Sequence, residues 1–204
     1  MAIALKRTSD TSNSFVNMIM YAPSGSGKTY AIQTLPNPIV LSAESGLLSL
    51  RDADLPYIEI KTVDDLYEAY EFLRSAEAKD FESVAIDSLS EIAEVVLANE
   101  KEKVAHDMKA YSQMGDIMTK LIRAFRDLPK HVYMTAKAEK SQDDDGRILY
   151  APSAPGSKFS QSIPYFFDEV LALRVEKDEE GNTMRMIQCQ SDGKWSAPDR
   201  DWET

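Results

Sequence analysis

Residues 14–29 read SFVNMIMYAPSGSGKT, and this stretch decides the fold. Residues 14–21 are an apolar run of strand length, as a buried strand requires. Ala22, Pro23, Ser24, Gly25, Ser26, Gly27, Lys28 and Thr29 then fit the Walker A pattern, with Ala in place of the first Gly. A tight loop of small residues aims several backbone N–H groups at one anion. A helix expected over residues 28–35 adds the positive end of its dipole. Lys28 is placed to reach the β- and γ-phosphates of ATP, and the Thr29 hydroxyl to ligate Mg²⁺. Residues 22–30, Tyr30 included, are thus the expected cradle. Ala22 is a mild departure, because that position needs a small residue more than a positive φ. The strand before the loop and the helix after it separate this match from a chance Gly-Ser run.

Outward from the loop, Pro36 and Pro38 end the first helix. Buried strands are expected over residues 39–43 and 83–86, the second ending at Asp87, with a short strand over 57–60. Leu66, Tyr70 and Leu73 give residues 63–78 a helical spacing. Two further helices are expected over 90–106 and 113–128, and a strand over 131–135. Residues 137–162 are polar, with Asp143-Asp144-Asp145-Gly146 as a turn signal. Such a stretch is either a hairpin or a mobile functional loop. Residues 169–175 and 184–190 read as antiparallel strands across Gly181-Asn182. The expected class is α/β, with a mostly parallel central sheet, helices on both faces and a C-terminal antiparallel extension. Residues 1–13 read as a flexible arm and 14–204 as a single domain.

The formal net charge of -11 argues against a broad basic face that coats nucleic acid, but leaves room for a small basic groove or a ring lumen. Cys189 is the only cysteine, so no internal disulfide is expected, and a reducing cytoplasm fits. No apolar run approaches the roughly 18 residues of a membrane span. His106 and His131 lack metal-ligand spacing and are read as solvated or packing residues.

Two carboxylates extend the phosphate site. Asp87 ends a buried strand, at the edge where open α/β sheets place ligands. It either holds the Mg²⁺ shell or caps the helix that follows. Glu44 ends the strand over 39–43. It either polarises an attacking water or is a solvated loop carboxylate.

The order Walker A, LSAESG, VAIDS, VYMTAK resembles the ATPase core of RecA-like recombinases. More closely, the chain is similar to phage-encoded nucleotide-binding proteins of RecA-like type. Pro155-Gly156-Ser157-Lys158, Phe167-Asp168-Glu169-Val170 and the tail Asp192-Gly193-Lys194-Trp195 carry that likeness. The resemblance implies slow ATP hydrolysis, with or without stimulation by DNA, in recombination or replication, on single-stranded DNA, by a homo-oligomeric ring or filament. It implies Glu44 as catalytic base and Thr135 or Lys137 as a γ-phosphate sensor. It makes Arg200 a cation for a neighbouring subunit's site, the alternative being a surface pair with Asp199 or Asp201. It places DNA contacts within residues 138–160, at Lys140, Arg147 and Lys158, with Tyr150 and Phe159 to stack on bases. With Lys137, four cations there meet the four carboxylates Glu139, Asp143, Asp144 and Asp145, which also suits a plain acidic hairpin. Two rival functions stay open. One is a nucleotide-gated loader or clamp, in which Glu44 has no catalytic role. The other is a small-molecule kinase, although a kinase lid clusters arginines and this segment offers only Arg147.

Overall fold

A computed structural model describes residues 15–199 except Ser45 and Asp144. The arm over residues 1–13 and Arg200 lie outside the described residues. The strands are β1 (Asn17–Ala22), β2 (Pro38–Ser42), β3 (Tyr57–Glu59), β4 (Ser83–Asp87), β5 (His131–Gln142), β6 (Ile148–Ser153), β7 (Glu169–Lys177) and β8 (Thr183–Gln188). They form one sheet in the order β3-β2-β4-β5-β1-β7-β8, with β6 paired to β5. The first six in that order run parallel. β8 is antiparallel to β7, and β6 to the distal half of β5. The register sets Ala22 beside Lys137 and Ser42 beside Asp87, so the carboxyl ends of β1, β2 and β4 share one edge.

Strand periodicity divides the core between two faces. Ile19, Tyr21, Leu41, Ile86 and Met134 pack with α1 (Val63–Arg74), α2 (Leu89–Lys103), α3 (Asp107–Arg126) and α4 (Ser157–Ser162). Their strand neighbours Met20, Ala22, Val40, Ala85 and Tyr133 point the other way. They pack with Ile32 and Leu50, from 3₁₀ helices Tyr30–Thr34 and Leu47–Ala53. Helices therefore cover both faces of a mostly parallel sheet, with the α-helices on one. α3 buries Ala110, Met114, Met118, Ile122 and Phe125, a stripe at three- and four-residue spacing. α1 opens with a capping box between Thr62 and Asp65.

Three expectations are corrected. The segment after the loop is a 3₁₀ helix over Tyr30–Thr34 rather than an α-helix over 28–35. Leu35 turns extended at ψ 149, as a residue before proline must, and cuts the helix short. The helix over 63–78 breaks at extended Ser75, and Ala76–Ala78 continues as 3₁₀. The strand over 131–135 runs on to Gln142, because its distal half pairs with β6. Residues 137–162 thus take the hairpin alternative, followed by α4. The Asp143 side chain fixes its turn by accepting the Asp145 and Arg147 N–H groups at 3.1 and 2.7 Å.

Candidate nucleotide-binding site

β1 delivers the loop to the shared sheet edge. Ala22 is its last, buried residue, while Pro23, Ser24 and Gly25 are exposed. Gly25 and Gly27 take φ values of 76 and 110, a region side chains disfavour, so the glycines let the chain wrap. The Ser26 hydroxyl closes the loop by donating to the Pro23 carbonyl at 2.9 Å. Lys28 Nζ donates to the Ala22 and Pro23 carbonyls at 3.0 and 3.2 Å, which holds the ammonium over the loop. Burial pushes the Lys28 pKa down, while the charges of Asp87 and Glu44 oppose that and Lys137 adds to it. Those groups share one electrostatic neighbourhood. Tyr30 stands exposed at the start of its 3₁₀ helix. With so short a helix, the loop N–H groups and Lys28 carry the anion cradle more than any helix dipole.

Asp87 is buried at the end of β4 and accepts two hydroxyls. Thr29 Oγ1 donates to Oδ2 at 2.8 Å, and Thr135 Oγ1 donates to Oδ1. β5 lies between β4 and β1 and carries Thr135 to this point. Asp87 is not the cap of α2. Ser88 is, its Oγ accepting the Glu91 N–H at 3.2 Å, and the Asp87–Ser88 peptide is cis. The same Ser88 Oγ donates to Glu44 Oε1 at 2.7 Å. Ser42 Oγ donates to the Glu44 carbonyl at 2.5 Å. Glu44 is thus exposed but oriented, one residue from Asp87 through Ser88.

The two sensor candidates part company. Thr135 is fully buried and committed to Asp87. Lys137 is exposed and pairs with Glu91 at 2.9 Å, which raises its pKa. Its neighbourhood includes Glu44, so it is the candidate with an ammonium at the site.

The DNA candidates do not gather. Lys140 is exposed on the distal half of β5, and Arg147 lies at the hairpin turn beside Asp145 at 3.5 Å. Arg147 and Lys194 line one shallow groove there. Lys158 lies elsewhere, in a groove of about 810 Å³ between α3 and α4 with Met108, Tyr111 and Phe166. The two aromatics are not free for bases. Tyr150 stacks on Trp195 with ring centres 4.1 Å apart, and Phe159 is buried in the core. Both bury apolar area that an exposed stacking platform would leave in water. The tail reaches Asp199, which bridges Glu169 at the start of β7.

Three residues escaped the sequence reading. Tyr133 lies under the loop, its hydroxyl donating to the Lys28 carbonyl at 2.9 Å, and burial pushes its pKa up. Ser88 was visible only as the neighbour of Asp87. Arg185 on β8 donates from Nε to the Ser26 carbonyl at 3.0 Å. Only strand pairing reveals that contact, since Arg185 is 159 residues from Ser26.

Among the described residues, no helix is long and apolar enough to cross a membrane. No curated protein matches the chain. A solved structure of the KaiC-like protein PH0186 from the hyperthermophilic archaeon Pyrococcus horikoshii OT3 is similar, with 11% identity and a TM-score of 0.46. The match covers 84% of this chain and 76% of that one. A family model described as an AAA domain matches residues 14–200. A phosphate loop on β1, an acidic strand end on β4 and a strand between them suit a P-loop nucleotide-binding fold, and the chain belongs to the AAA domain family AAA_24.

Proposed function

We propose that this protein binds ATP with Mg²⁺ and hydrolyses it, acting on single-stranded DNA in phage recombination or replication. The observation that carries the hydrolytic reading is the run of contacts from Thr29 to Asp87 and from Ser88 to Glu44. The donor set suits Mg²⁺, a hard cation that takes one or two protein oxygens and fills its shell with phosphate and water. Thr29 and Asp87 would hold it, and when bound it supplies positive charge against the β- and γ-phosphates. Lys28 neutralises the same oxygens. Glu44, fixed by Ser88, accepts a proton from water as the water oxygen bonds to the γ-phosphorus. The bond from that phosphorus to the bridging oxygen breaks, leaving ADP and phosphate.

The DNA part rests on the resemblance, with support from Arg147 at the hairpin turn and Lys194 of the tail, which line one groove together with Asp192. One near-neutral hairpin attracts a strand weakly, but copies around an axis add. Phosphate release with and without an oligonucleotide tests the proposal. We expect Mg²⁺-dependent release that rises with single-stranded DNA and is lost in Lys28→Ala, along with tight ATP binding. Unchanged ATP affinity in folded Lys28→Ala would overturn the site. ATP binding without release would favour a loader or clamp.

A further inference from the structure

The sheet order sets Asp87 and Glu44 on one side of the loop and Arg185 on the other. β5 and β4 flank β1 toward the carboxylates, while β7 and β8 flank it on the opposite side. The Arg185 side chain crosses back from β8 to the loop. Its Nε donates to the Ser26 carbonyl, and a Cβ on Gly27 would stand 3.6 Å from that nitrogen. That bond uses one of five guanidinium N–H donors, and among the described residues no other hydrogen bond claims the forked end. Among the described residues, no carboxylate is ion-paired with Arg185. An arginine held at its neck by a phosphate loop, with its fork unclaimed by acid, is built for an oxyanion.

The direction of the nucleotide says which oxyanion. On the proposed reading, the γ-phosphate faces Glu44 and Asp87, so the nucleoside end extends toward β7 and β8. We infer that Arg185 grips the α-phosphate of the bound nucleotide from within the same subunit. ADP and ATP share that phosphate, so both depend on Arg185 alike, whereas a γ-phosphate contact would serve ATP alone. Arg185 is exposed on an edge strand, which leaves the fold little reliant on it.

The test measures ADP and ATP affinities by calorimetry for the wild type and for Arg185→Ala, Arg185→Gln and Arg185→Lys. A charge-assisted bond of this kind predicts about a tenfold loss for both nucleotides in Arg185→Ala. Arg185→Gln keeps an N–H for the Ser26 carbonyl without the charge, and should lose as much. Arg185→Lys should lose less. Wild-type affinity in Arg185→Ala, full affinity in Arg185→Gln, or a loss confined to ATP would each overturn the inference while leaving the ATP site standing. A wild-type protein that binds neither nucleotide would sink both.

Discussion

Glu44 and Glu91 both lie near the phosphate loop, and their partners separate them. Glu91 is neutralised by Lys137 at 2.9 Å, while Glu44 accepts only a neutral hydroxyl from Ser88 among its resolved side-chain contacts. An oriented carboxylate without a salt-bridge partner is the better base for water. Glu44→Gln should therefore keep ATP binding and lose turnover by about 10²-fold or more, read as phosphate release at saturating ATP. Wild-type turnover in that variant would move the base to Glu91. Lys28 makes a second prediction, through pH. Burial sets its pKa below 10.5 in the free protein, and only the protonated form neutralises phosphate. Bound phosphates favour the charged form, so binding takes up protons as pH passes the lowered pKa. ATP affinity should then decline at a lower pH than for an ordinary lysine. Lys28→Arg should remove that decline, since a guanidinium stays charged throughout. A wild-type affinity that is flat up to pH 10.5 would show that the Lys28 charge is not used.

The β5–β6 hairpin is the element on which the DNA proposal depends. Beyond Lys137, its cations are Lys140 and, at the tip near Lys194 of the tail, Arg147, while Lys158 lies apart on α4 in the α3–α4 groove. Neutralising Lys140, Arg147 and Lys194 together should weaken oligonucleotide binding and reduce its salt slope by about 0.7 per lost phosphate contact. Lys158→Ala alone should have a smaller effect, and ATP affinity should hardly move in either variant. An unchanged salt slope in the triple variant would place the strand elsewhere. The hairpin also shows where reading the sequence stops. β1 and β4 were legible because each is a short apolar run that ends in residues with chemistry. β6 was not, because Pro152 and the polar distal half of β5 hide a strand that exists through pairing. Tyr150 looked free until Trp195, remote in sequence, covered it. The Ser88–Glu44 bond and the Arg185–Ser26 bond also span long separations that no local pattern encodes. The short helix after the loop was the opposite case, since Pro36 was in plain view and its restriction of Leu35 decided the length.

For the whole molecule, the expectation is that a neighbouring copy completes the site. Within the chain, Lys28, Lys137 and Arg185 surround the loop, and Asp87 and Glu44 complete it. A cation for charge developing on the γ-phosphate is commonly brought by a neighbour. Head-to-tail contacts that place it there build rings or filaments. The tail runs from the Trp195 stack to Asp199 at the start of β7, where Glu169 pairs in register with Met18. That is the amino end of the parallel strands, opposite the loop after Ala22, so these tail residues lie away from the chain's own loop. Arg200 follows it in sequence, and arginine suits a forked grip on phosphate oxygens. Mixing tests this. Arg200→Ala subunits keep an intact loop but lack the cation, and Lys28→Ala subunits lack a working loop but keep Arg200. Each alone should be nearly inactive in phosphate release. Blended, they should recover activity, because a Lys28→Ala subunit lends its Arg200 to the intact loop of an Arg200→Ala neighbour. Recovery should rise with total protein concentration, as assembly requires. Full activity of Arg200→Ala alone would remove Arg200 from the reaction. A blend no more active than its parts would remove the exchange between subunits.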